Sequence, residues 1–96
     1  MSDDAFSLLM RTLGEQMFAR ENDPTGVVAM LVTETLRFRD KLKEDAGIVL
    51  TVEDTRIALD ALEGHLDGQP LPTSLTSEQQ NLMQIWIDRL TTFRSR

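Results

Sequence analysis

The sequence predicts an all-α fold, a four-helix antiparallel bundle-like domain with helices over residues 4–20, 24–46, 52–67 and 77–94. Three observations carry this expectation. Apolar residues recur at helical spacing in four separate stretches, and each stretch is opened by a capping residue or closed by Gly or Pro. Only one short segment, Ile48 to Val52, has β character.

The first helix opens after Ser2 or Asp3 as N-cap, and Phe6, Leu9, Met10, Leu13 and Met17 form its apolar stripe. Gly14 inside it costs about 1 kcal/mol relative to Ala, and close packing against a neighbouring helix is one reason to keep it. Asn22-Asp23-Pro24 ends the segment, because Pro24 lacks an N–H and biases Asp23 toward an extended conformation. Pro24 suits the first position of a second helix capped by Asp23 or Thr25. Its stripe is Val28, Leu31, Thr35, Phe38 and Leu42, widened by Val27, Val32 and Leu36, and Gly47 is a natural stop.

A lone strand at Ile48–Val52 has no pairing partner within the chain. The segment is therefore read as an extended, half-buried connector, with a short intermolecular β-ribbon as the alternative. Thr51, followed three residues later by Asp54, caps a third helix with the stripe Val52, Thr55, Leu59, Leu62 and Leu66, flanked by Ile57, Ala58 and Ala61. Gln69 to Ser74 contains two prolines and reads as a linker with polyproline II character, short enough to join packed helices. Thr76 or Ser77, each with a Gln three residues on, caps the fourth helix. Five of the six residues from Leu82 to Ile87 are apolar, too many for one helix face.

Ninety-six residues make one domain, residues 1–96, with 41% apolar and 27% charged residues, the composition of a globular protein. With no cysteine the chain has no disulfide framework and no thiolate metal site. No apolar run reaches membrane-span length, and the start Ser2-Asp3-Asp4 lacks the basic and apolar regions of a signal peptide, so the expected location is the cytoplasm.

Net charge is −6. Glu53, Asp54, Asp60, Glu63, Asp67 and Glu78 against Arg56 give −5 over residues 53–78, while Arg37, Arg39, Lys41 and Lys43 against Asp40 give +3 over residues 37–43. An acidic protein of this size is a poor match to non-specific nucleic-acid binding, which depends on neutralising phosphates. Glu34 and Asp40 lie one helical turn from cations of the basic cluster, so intrahelical pairing accounts for much of it.

The only imidazole, His65, sits near a helix C-terminus, where a cation complements the dipole; it lacks the extra ligands of a metal site and the neighbouring nucleophile of a catalytic base. Ser74 and Ser77 lie in or beside the linker with nothing to arrange them. The acid pairs Asp3-Asp4, Glu44-Asp45 and Glu53-Asp54 fall at helix ends, where adjacent carboxylates point apart into water. There is no Gly-rich phosphate loop, EF-hand loop or HExxH. Ribbon-helix-helix and helix-turn-helix readings lack polar base-reading strands, a tight turn and a positive helix. Leu50–Leu59 resembles the last loop and helix of a histone fold, but it covers few residues, lacks that family's positive surface and is followed by a helix that does not fit, so it is not adopted.

The sequence thus points away from an enzyme, a cofactor or a metal. It points to a small cytosolic protein-binding module, an adaptor, chaperone or inhibitor, acting through an apolar helical surface as a homodimer. The expected contact residues are Leu82, Met83, Trp86, Ile87, Leu90 and Phe93, with Trp86 as anchor. The acidic surface of Asp60, Glu63 and Asp67 is a second candidate, serving solubility or occupying a basic site on a partner. The alternative class is a nucleic-acid-associated regulator using Arg37, Arg39, Lys41 and Lys43.

Overall fold

Helix boundaries follow the local chemistry closely. The computed structural model describes residues 4–95 and contains α1 (Ala5–Met17), α2 (Pro24–Ala46), α3 (Val52–Leu66) and α4 (Ser77–Arg94). The N-cap of α1 is Asp4, whose carboxylate accepts the Phe6 N–H at 2.9 Å; the expected caps Ser2 and Asp3 lie outside the described residues. Asp23 caps α2 by accepting the Gly26 N–H, with Pro24 at the first helical position as expected. Thr51 and Asp54 form a reciprocal capping box on α3, and Thr76 and Gln79 form another on α4. Gly47 closes α2 at φ 65°, a left-handed conformation that a side chain disfavours.

α1 stops at Met17 instead of residue 20, and the chain turns so that Phe18, outside the expected stripe, becomes 2% exposed core. The core also takes in Leu50 and Leu75 from connecting segments, while Val52 and Leu66, the two ends of the α3 stripe, remain outside it. Ile48 to Leu50 belongs to no helix or strand of the described residues, with Ile48 and Val49 exposed and Leu50 in the core.

Trp86 lies at the centre of the core. Its indole N–H donates to the Thr35 hydroxyl at 3.0 Å, and that hydroxyl donates to the Leu31 carbonyl at 2.7 Å. Both polar groups are fully buried and both are satisfied, which removes the penalty that an unpaired donor would carry there.

The topology is set by contacts distant in sequence. Asp4 at the start of α1 pairs with Arg39 near the end of α2, so α1 and α2 run antiparallel. Glu21, just before α2, bonds Arg94 at the end of α4, which makes α2 and α4 antiparallel as well. α3 and α4, however, begin at the same end, because the Gln79 amide of α4 donates to the Asp54 carboxylate of α3 at 3.1 Å. The antiparallel relation expected between successive helices is therefore replaced at this one step, with residues 67–76 returning along the flank of α3.

Candidate functional site

The apolar run of α4 is spent on the core. Leu82, Met83, Trp86 and Leu90 are all at most 2% exposed, and Ile87 and Phe93 are half-buried against the same cluster. The six residues expected to meet a partner therefore form no surface of their own, and Trp86 is inaccessible as an anchor. The physical reason is position: α4 packs against both α2 and α3, so two of its faces are covered from within the chain.

The basic cluster is partly neutralised, with two of its four cations in ion pairs. Arg39 turns inward, with its guanidinium carbon 5.1 Å from the centroid of the Phe6 ring and its nitrogens paired with Asp4 and Asp40. The Arg39 hydrogen bond, with the Phe6 N–H, holds the Asp4 carboxyl below the ordinary aspartate range. Arg37 pairs with Glu34 at 3.6 Å but stays exposed, as do Lys41 and Lys43, so Arg39 alone of the four is withdrawn. His65 is exposed in the last turn of α3. Among the described residues no group of three or more His, Cys, Asp or Glu side chains is placed to hold a metal ion.

The clasp between α3 and α4 directs the linker that forms a groove along α3. Asp54 accepts the Thr51 N–H with one oxygen and the Gln79 amide with the other, while the Gln79 oxygen accepts the Thr76 N–H. Two capping boxes are thus fused into one hydrogen-bonded unit. Burial pushes the Asp54 carboxyl up, but the bonds from Thr51 and Gln79 outweigh it and hold the group below its usual value. Because α4 must start beside the N-terminus of α3, the linker has to travel back along that helix. Its departure is fixed by Gly68 at φ 82° and by the Gln69 N–H donating to the Gly64 carbonyl at 2.9 Å.

Between α3 and this returning linker runs a groove of about 240 Å³. Ile57, Ala61 and Gly64 line it from the helix, Pro70, Pro72 and Leu75 from the linker, and Asp60, Gln69 and Ser74 supply polar atoms. A volume below the ~300 Å³ of the smallest ordinary ligand pockets suits one side chain of a larger molecule better than a whole cofactor. Asp60 is bonded to Arg56 at 2.9 Å, so the groove offers hydrogen bonds and negative charge but no free proton-transfer pair. Glu63 and Asp67 stand exposed on the same helix end, and Leu66 and Leu71 are 38% and 45% exposed nearby in sequence.

Of the acidic residues singled out from sequence, Asp60 is thus brought to the groove, while Glu63 and Asp67 are solvent-facing. The linker's part in the site was not read from sequence; the signal was Leu71 and Leu75, apolar residues flanking Pro72 in a segment too apolar for a solvated tether. Comparison of the chain with protein-family models, with curated proteins and with solved structures finds no match.

Proposed function

We propose that the protein is a binding module that takes a cationic segment of a partner protein, seating one apolar side chain of that segment in the groove between α3 and the linker. The single observation behind this reading is the coincidence of an apolar-walled, side-chain-sized groove with the −5 balance of residues 53–78. Apolar walls supply affinity, and the acids select positive charge and speed encounter. The pairing of Arg37 with Glu34 and of Arg39 with Asp4 and Asp40 favours this reading over a nucleic-acid one, since carboxylates already neutralise half of the cations a phosphate-binding surface would use.

The test is titration with a labelled peptide of alternating Lys and Leu, followed by fluorescence anisotropy and by amide NMR shifts. Saturable binding that weakens as salt rises is expected, with the largest shifts at Ile57, Ala61 and Leu75. Changing Asp60, Glu63 and Asp67 together to Lys should lower affinity at least about tenfold, equivalent to 1.4 kcal/mol. No binding, an unchanged affinity in the triple variant, or shifts clustered elsewhere would each overturn the proposal.

A further inference from the structure

The acids along α3 are not equally open to an incoming cation. Glu53, Arg56, Asp60, Glu63 and Asp67 recur at i, i+3, i+7, i+10 and i+14, one exposed stripe along α3 and its C-cap. Asp60 is the one charged residue that lines the α3–linker groove, and Arg56 is the one Lys or Arg between residues 53 and 78. The two are joined: Nη1 of Arg56 donates to Oδ2 of Asp60 at 2.9 Å. The same guanidinium grips Glu53 at two points, with Nε on Oε1 at 3.1 Å and Nη2 on Oε2.

These attachments differ in strength. The contact with Glu53 is a fork of two charge-assisted bonds, whereas Asp60 receives one. Glu53 accounts for most of what raises the Arg56 guanidinium above its ordinary value, and the Asp60 charge contributes least. In turn, the Arg56 hydrogen bond holds the Glu53 carboxyl below the ordinary glutamate range. Arg56 can therefore release Asp60 and stay paired with Glu53. All three side chains are between 46% and 62% exposed, so water screens the single bond that is given up.

We infer that Arg56 is an internal stand-in for the partner's cation, an assignment that rests on the groove reading above. It holds Asp60 in the free protein, and a cation of the partner takes its place there while the neighbouring apolar side chain enters the groove. Arg56 then swings to Glu53 alone. It is the residue that limits affinity for cationic segments, because each one must first win Asp60 from it.

The test is titration of the labelled Lys–Leu peptide into the wild type, Arg56→Gln and Arg20→Gln, with circular dichroism confirming that each is folded. Arg20 is exposed in the α1–α2 connection, so its replacement removes the same charge away from α3 and measures the general effect of a more negative protein. Arg56→Gln should bind about threefold tighter or more, the range that an exposed ion pair supplies, and Arg20→Gln should stay within about twofold of wild type. In the wild type the Arg56 Nε–H resonance should move as the peptide saturates. An unchanged or weaker affinity in Arg56→Gln, an equal gain in Arg20→Gln, or an unmoved Nε–H signal at saturation would overturn the inference and leave the groove reading standing. No binding by either the wild type or Arg56→Gln would sink the groove reading, and this inference with it.

Discussion

α4 and the corner between α2 and α3 exchange the roles that their sequences suggest. Leu82–Ile87 is apolar beyond the needs of one helix face, yet Leu82, Met83 and Trp86 are at most 2% exposed. Ile48 and Val49, in the segment with the strongest β character, are exposed, Val49 at 70%. Local apolarity therefore says how much a segment would gain from burial. Whether it is buried depends on how many neighbours the topology gives it: α4 lies against two helices, while the corner turns at the end of the molecule with only Leu50 reaching inward.

Trp86→Ala is the strongest test of that contrast. It empties the centre of the core and leaves the Thr35 hydroxyl without its donor, so a loss of about 3–5 kcal/mol is expected in urea denaturation. A loss under about 1 kcal/mol would place α4 outside the core and restore its surface role.

The clasp should have an intermediate effect. Asp54→Asn keeps the shape but removes the charge that Thr51 and Gln79 stabilise, and about 1–2 kcal/mol of helix-capping stability goes with it at neutral pH. Because the folded Asp54 carboxyl is held below its unfolded value of about 3.9, its contribution is complete above that value and disappears as pH falls through the lower folded one. The wild type should therefore lose stability in that acid window more steeply than Asp54→Asn. Parallel acid titrations of the two would remove the clasp from the account. Val49→Ser, at the exposed corner, should change stability by less than about 0.5 kcal/mol; a larger loss would show that the corner is covered in solution.

Helix placement was readable because its determinants are local. Asp23-Pro24, Thr51 with Asp54, and Thr76 with Gln79 satisfy backbone N–H groups within one turn, and Gly47 permits the left-handed stop after α2. The groove was not readable, although Asp60 was singled out. Its existence depends on Gln79 meeting Asp54, 25 residues away, and no local pattern distinguishes a linker that runs outward from one that folds back. Arg39 shows the same: as one of four cations in a run it suggests a basic patch, but Asp4, 35 residues earlier, and the Phe6 ring withdraw it.

The amino-acid sequence by itself determined four helices, the caps of the last three, and a net negative charge, because each follows from interactions within a turn or from composition. Only the tertiary structure decided which apolar residues are core, which face is left outside, and in which direction α4 runs. Those outcomes rest on pairings such as Trp86 with Thr35, 51 residues apart, whose partners are chosen by packing and by the cost of leaving a buried polar group unbonded.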